Sequence, residues 1–362
     1  MVNIRIDLYT IEQMKILGIE TSCDETAAAV VEDGRHLLSN VVASSMDLHA
    51  VYGGVVPEIA ARSHIESITP VVQEALKTAK VTWDEIDGIA VTYGPGLGGS
   101  LLIGVLTART LAITKQKPLY SVNHVTAHCY ANFLTSTSLP NYALPAAQPS
   151  FPLLAVIVSG GHTQLVLFRD HFDYTILGQT GDDAVGEAFD KVAKMMNLGF
   201  PGGPEIEKKA LNGNGNRFEL PMPMINQKTC DMSFSGLKTA VRVTIEELER
   251  LSEQDICDVA ASFQKAVSNI IYKKTKYAIN EYEKIAAGKT LVVAGGVAAN
   301  KALRSALLSV AEESGYNFVA PPINLCTDNA AMIAFAGLER FYAGIINDVS
   351  FKPRARWGLE DL

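Results

Sequence analysis

KILGIETSCDETAAAVVE, residues Lys15 to Glu32, reads as a strand, a polar turn and a second strand. KILGIE and AAAVVE are short apolar runs, and TSCDET between them supplies the small polar residues that end a ladder. The layout returns later: LLAVIVSG (Leu153 to Gly160) enters the turn GHT and comes back as QLVLF (Gln164 to Phe168). A further pair, IAVTYGPGLGGSLLIGVLTARTLAI (Ile89 to Ile113) and LVVAGGVAANKALRSALL (Leu291 to Leu308), reads both times as strand, glycine turn and helix. Each half thus has a hairpin early and a strand-glycine-helix unit late, the pattern of a duplicated α/β unit. The stretch TSTSLPNYALPAAQPSFP (Thr135 to Pro152) has no period and reads as a connector. The expected organisation is an extension over 1–14, a first lobe over 15–134, a connector over 135–150 and a second lobe over 151–350. A cleft between the copies would bring the glycine turns at strand carboxyl ends face to face, where a nucleotide would sit.

With 362 residues and 48% hydrophobic content, the chain can bury two ordinary cores. A net charge of −8 argues against gripping nucleic acid by a broad basic face, so any RNA contact must be local or shared with partners. Five dispersed cysteines without a CxxC pair suggest neither a disulfide framework nor a thiolate zinc site, and point to a reducing compartment. The first fourteen residues include Asp7 and Glu12 and lack an apolar signal core, and no apolar run approaches the roughly 18 residues that span a bilayer. A cytoplasmic protein without a membrane role is expected.

His124 and His128, in HVTAH, stand four residues apart; on a helix their imidazoles share a face, a spacing suited to a divalent metal. Taken alone, such a pair also fits ordinary surface or cleft histidines. Asp328, in LCTDNAAMIAFAG, is the candidate third ligand, although Thr327 or Asp328 equally suits a helix N-cap. Two histidines and a carboxylate with open positions suit Fe(II) or a similar ion able to polarise a carbonyl or phosphoryl oxygen. Cys129 and Cys326, beside these residues, read as packing. Gly94, Gly96 and Gly99 match GxGxxG, yet no Asp or Glu occurs from Gly88 to Arg169, so the acidic ribose partner of a dinucleotide site is missing. The glycines remain a tight turn whose amides approach an anion or the facing lobe.

The stretch from Asp182 to Met196 reads as a helix with Val185, Ala188, Val192 and Met195 on one face and Asp183, Glu187 and Asp190 on the other. Asp190 is close in sequence to PGGP (Pro201 to Pro204), where a carboxylate could accept ribose hydroxyls. Asp24 and Glu25 fall in a hairpin turn, where acidic residues are common for backbone reasons. Asn300 fits either a helix start or a base contact, and Ser235 and Lys238 in SFSGLK suggest a phosphate without being diagnostic.

Taken together, GIETSCDET, HAVYGGVVPEIAARSH, YGPGLGGSLLIGV, HVTAH, VSGGHTQL, GEAFDKVAK, FPGGP, SFSGLKT, AGGVAAN and TDNAAMIA closely resemble the TsaD family of tRNA threonylcarbamoyladenosine synthesis, its bacterial branch. The resemblance implies an ASKHA (actin-like, Hsp70-like, sugar-kinase-like) α/β fold, in agreement with the duplication. It implies transfer of a threonylcarbamoyl group from threonylcarbamoyl-AMP to N6 of the adenosine 3′ of the anticodon, with release of AMP. It further implies one divalent metal ion, Fe(2+) or else Zn(2+), on His124, His128 and Asp328. Ile157, Val158, Ser159, Gly160, Gly161, Asp190, Gly203 and Asn300 match positions that hold the adenylate. Asp24 or Glu25 is expected near the acceptor as a candidate general base. The partners implied are tRNA and helper proteins resembling TsaB and the ATPase TsaE. Two other readings stand beside this one: a glycoprotease, disfavoured by Val125 where HExxH has its glutamate, and an ASKHA kinase or ATPase. FKPRARW (Phe351 to Trp357) is a small basic candidate for touching RNA.

Overall fold

The computed structural model describes residues 13–248 and 250–359; most of the expected extension, residues 1–12, lies outside them. Two sheets carry the fold. The first contains β1 (Lys15–Glu20), β2 (Glu25–Glu32), β3 (His36–Ser44), β4 (Gly88–Gly94), β5 (Leu119–Asn123) and β6 (Ser136–Thr137), in the order β5-β4-β1-β2-β3-β6. The second contains β7 (Leu153–Val158), β8 (Thr163–Phe168), β9 (Tyr174–Gln179), β10 (Thr290–Ala294) and β11 (Asn317–Val319), in the order β11-β10-β7-β8-β9. Replacing each of β1 to β5 by the strand six numbers later turns one order into the other. The pairing repeats too: β1-β2-β3 and β7-β8-β9 are antiparallel, while β4 and β5 join β1, and β10 and β11 join β7, in parallel.

The helices repeat less faithfully. The first half inserts α1 (Met46–Ala50) and the long α2 (Pro57–Ala79) after β3, then α3 (Gly98–Lys115) after β4 and α4 (His124–Tyr130) after β5. The second half inserts α5 (Val185–Met195), α6 (Gly202–Ala210), α7 (Ser235–Glu247) and α8 (Glu253–Tyr282) after β9, then α9 (Lys301–Ser314) after β10 and α10 (Ala330–Tyr342) after β11. No described helix is long and apolar enough to cross a membrane. All five cysteines are free thiols.

Three cores explain why the central strands read as near-continuous apolar runs: each sheet is covered on both faces. Leu17, Ile19, Val30 and Val91 face α2 and α3. Leu154, Val156, Val158 and Val293 face a layer that includes α5, α8 and α9. Between the sheets, Ile16, Ala27, Ala155, Ile157 and Val292 share a core with α4 and α10. These two helices cross over. Although it follows β11, α10 packs on β1, β2 and β4 of the first sheet, and α4 touches β7 and β10 of the second. Strands β1 to β5 fall within 15–134 and β7 to β11 within 151–350, whereas β6 of the first sheet falls in 135–150 and α10, late in the chain, packs on the first sheet. Two glycines permit its close approach. A Cβ on Gly18 would stand 2.4 Å from the Ala330 carbonyl oxygen, and one on Gly337 would stand 2.3 Å from the Ala90 Cβ.

Candidate functional site

Because α4 and α10 occupy matching places in the two halves, their starts converge between the sheets. Asn123 caps α4, accepting hydrogen bonds from the Val125 and Thr126 amides at 2.9 and 3.2 Å, which sets His124 and His128 one turn apart on a buried helix. On α10 the cap is Asn329, which accepts from the Met332 amide at 3.2 Å. The alternative reading of Thr327 or Asp328 as the cap is thereby set aside. Relieved of capping, Asp328 points its Oδ1 at 3.5 Å from His124 Nε2 and 3.4 Å from His128 Nε2. One ligand atom from each of the three residues lies within 4.8 Å of the others.

The donor set fits a divalent cation. His128 is buried, and neither of its ring nitrogens has a hydrogen-bond partner; two orphaned nitrogens are costly unless Nε2 is a ligand. His124 is oriented from behind, with Nδ1 at 3.1 Å from Glu20 Oε2 and 3.2 Å from Ser22 Oγ, which leaves Nε2 for the metal side. Glu20 is fully buried and also accepts from the Thr92 hydroxyl. Electrostatics agree. Burial opposes charge on His124, but Asp328 and Glu20 outweigh it and lift the imidazole to about 9. Burial, helped by His124, holds His128 well below the ordinary histidine range. Burial raises Asp328 to about 6 even though His124 pulls the other way. In the absence of a cation, a proton on His124 supplies the positive charge that these carboxylates demand.

The ligands open into a cleft of about 640 Å³ lined by both halves. From the first half come Ser22, Cys23, Asp24 and Glu25 of the β1-β2 turn, with Gly53 and Gly54 of the loop after α1. The turn is braced from beneath by two histidines that sequence reasoning did not single out. His64 bonds the Cys23 carbonyl through Nε2 at 3.1 Å and the Thr26 hydroxyl through Nδ1 at 2.8 Å. His49 bonds Ser45, whose hydroxyl donates to the Asp24 carbonyl. Glu25 is pushed up to about 10 by burial, then by Asp328 and Asp24, so it is neutral near pH 7 in the metal-free chain. Glu25 in fact begins β2, while Asp24 stays in the turn.

From the second half come Ser159, Gly160, Gly161 and His162 of the β7-β8 turn, with Glu187, Asp190, Lys191 and Lys194 of α5. Nothing lies within 4 Å of a Cβ built on Gly160 or Gly161, so this turn presents bare backbone to the cleft. Gly186 lets it seat on α5, because a Cβ there would meet the Ser159 carbonyl oxygen at 2.7 Å. Asp190 accepts from the Gly202 amide at 2.7 Å, which places it against the PGGP segment.

Other singled-out residues lie elsewhere. The side chains of Ile157 and Val158 are fully buried, on opposite faces of the second sheet. Gly203 is half-buried on α6 and does not line the cleft. Asn300 caps α9 through the Leu303 amide at 3.0 Å and donates to Gln264 at 2.9 Å. The suggested phosphate contacts of SFSGLK are taken up internally: Ser233 and Ser235 donate to Asp182, and Lys238 pairs with Asp183. Hence the helix expected from Asp182 begins only at Val185. The glycine turn after β4, in contrast, does line the cleft through Pro95, Gly96 and Leu97, with the Gly96 amide donating to the Ala355 carbonyl and that of Leu97 to the Ser22 carbonyl. Cys129 is buried and Cys326 lies against Arg304, as packing residues do. The FKPRARW segment folds onto β4, with Phe351 and Trp357 edge-on to Tyr93 at 4.9 and 5.0 Å.

With this geometry in place, the comparisons with known proteins become decisive. The family model TsaD, tRNA N6-adenosine threonylcarbamoyltransferase, matches residues 36–335. The chain belongs to the TsaD family. A tRNA N6-adenosine threonylcarbamoyltransferase of Methylorubrum populi is 52% identical over 349 residues, covering 95% of this chain and 97% of the relative. One of Rhizobium etli is 49% identical over 355 residues, covering 96% and 94%. Among solved structures, HypF of T. kodakarensis is similar in fold alone, at 16% identity and a TM-score of 0.57, over 92% of this chain and 48% of that one. Together with the duplicated sheet order, this likeness marks the TsaD chain as an actin-like, ASKHA-type α/β fold.

Proposed function

We infer that this chain is a tRNA acyltransferase: it moves the threonylcarbamoyl group of threonylcarbamoyl-AMP to N6 of the adenosine 3′ of the anticodon, in tRNAs reading codons that begin with A. The adenosine amine attacks the carbamoyl carbonyl carbon, the carbonyl–phosphate C–O bond breaks, AMP leaves with the electron pair, and N6 gives up one proton. The observation that carries this reading is the meeting of His124, His128 and Asp328 in a cleft formed by both halves, in a chain that is about half identical to named transferases over nearly its full length.

His124, His128 and Asp328 would hold one divalent ion, Fe(2+) by the donor set and Zn(2+) as the alternative. When bound, such an ion supplies a Lewis acid for a carbonyl or phosphoryl oxygen. Glu20 fixes the ring of His124 so that Nε2 faces the cleft. The bare Ser159–Gly161 backbone and Asp190 suit an adenylate, the carboxylate taking ribose hydroxyls; Ile157 and Val158 would contribute through backbone only. Gly203 and Asn300 match positions that hold the adenylate in the family and would contribute from α6 and the start of α9. Asp24 is the better placed candidate base in the metal-free chain, since Glu25 already carries its proton at neutral pH. The target adenosine lies in a single-stranded loop and needs no duplex melting.

The acidic chain is expected to work in the cytoplasm with a TsaB-like partner and a TsaE-like ATPase, which would supply tRNA contacts that its own charge does not. The test mixes the purified chain with threonylcarbamoyl-AMP and unmodified tRNA, with and without such partners, and looks for the modified nucleoside by mass spectrometry. Transfer that survives replacement of His124 would leave the cation site without a role.

A further inference from the structure

The loop between α1 and α2 combines two features. It is built on a fully buried histidine: His49 accepts the Val56 amide through Nδ1 at 3.2 Å, and its carbonyl accepts the Tyr52 amide at 2.9 Å. From that anchored base it turns large apolar side chains outward, with Val51 84% and Tyr52 60% exposed. Large apolar side chains exposed together beside a cleft are suited to contact with a ligand. The next two residues, Gly53 and Gly54, line the reaction cleft, and a Cβ built on Gly53 would stand 3.7 Å from Lys194 Nζ on the opposite half.

Lys194 is itself distinctive. Lys191, one turn earlier, is neutralised by Asp183 and Glu187 at 2.6 and 2.7 Å. Lys194 has no acidic side chain within ion-pair distance among the described residues, and it lines the same cleft. In a chain of net charge −8, a lysine with no acidic partner among the described residues thus lines the cleft, and an exposed aromatic ring lies one residue before Gly53 on the facing loop. Stacking on a base does not require a basic surface, and it suits unpaired nucleotides.

We propose that Tyr52 and Lys194 form the RNA-receiving edge of the cleft: the ring of Tyr52 stacks on a splayed base next to the target adenosine, and Lys194 holds a phosphate of the same strand. The proposal deepens the transferase reading and rests on it. It is tested by steady-state transfer to tRNA with the full chain and its partners, varying tRNA and threonylcarbamoyl-AMP separately. Tyr52→Ala is expected to raise the tRNA KM about tenfold, leave that for threonylcarbamoyl-AMP unchanged, and be rescued by Tyr52→Phe. Lys194→Ala is expected to raise the tRNA KM and to flatten its salt dependence by roughly 0.7 in log-log slope, the value for one single-strand phosphate. If Lys194→Ala instead raises only the KM for threonylcarbamoyl-AMP, Lys194 serves the donor's phosphate and its part of the proposal is overturned. Wild-type transfer with an unaltered tRNA KM in Tyr52→Ala overturns the stacking contact alone, whereas a wild-type chain that transfers nothing overturns the function and this edge together. Tyr52 is exposed, so the variants should keep the wild-type unfolding temperature.

Discussion

The β1-β2 turn and the β7-β8 turn hold equivalent places in two copies of one unit, and they have become opposites. The first is packed and acidic: Asp24 and Glu25 are only 8% and 9% exposed, and His49 and His64 brace the backbone beneath them. The second is bare, with Gly160 and Gly161 exposed and no side chain to fill the space in front of them. The helices that follow β5 and β11 diverge in the same way, one carrying two imidazoles and the other preceded by a carboxylate. Duplication supplied symmetric geometry; substitution divided the labour, so that one half packs carboxyl groups beside a cation site and the other offers open backbone to a ligand.

Removing the contribution that one half makes to the shared centre should have the largest effect. Asp328→Ala or His124→Ala is expected to lower transfer about a thousandfold, corresponding to about 4 kcal/mol of lost polarisation and orientation, as single-turnover rates would show. The balance of charge between the halves should also be visible in pH. Because a cation must displace the proton held on His124 up to about 9, metal affinity should fall as pH drops below 9, approaching about tenfold per pH unit. It should fall more steeply below about 6, where Asp328 also protonates, and titration of the chelator-stripped chain would measure both slopes. Glu20→Gln, which loosens the ring of His124, should weaken the metal roughly 10–100-fold.

The duplicated sheets were legible because apolar runs and glycine turns are local signals, and the HVTAH pair because i,i+4 spacing places two rings on one face. Other features were not. Whether Asp328 caps or coordinates depends on its neighbour Asn329 taking the cap, a competition that residue types alone do not decide. The crossing of α10 onto the first sheet rests on long-range fits at Gly18 and Gly337. Asp182, Asp183 and SFSGLK looked like separate features until the fold paired them 51 to 55 residues apart. Lys194 closes the GEAFDKVAK motif, but its residue type names no role there, and only the cleft shows where it lies.

Smaller effects would sharpen the contrast between the turns. Gly160→Ala should raise the KM for threonylcarbamoyl-AMP about tenfold without altering stability, since a Cβ there enters the cleft and has nothing within 4 Å of it. Gly186→Val, by contrast, meets the Ser159 carbonyl and should also lower the unfolding free energy by about 2 kcal/mol. In the braced turn, His64→Ala removes two buried hydrogen bonds and should cost about 2 kcal/mol in denaturant unfolding, with a fall in kcat larger than any rise in KM.

The central claim is that two imidazoles following β5 and a carboxylate preceding α10 hold one cation. Elemental analysis of the purified full-length chain, metal-loaded and then exhaustively desalted, tests it directly when run beside His128→Ala and Asp328→Ala. One tightly held divalent ion per wild-type chain, lost in both variants while their fold persists, is the predicted result. Equal metal content in all three proteins, or none in the wild type after loading, would contradict it.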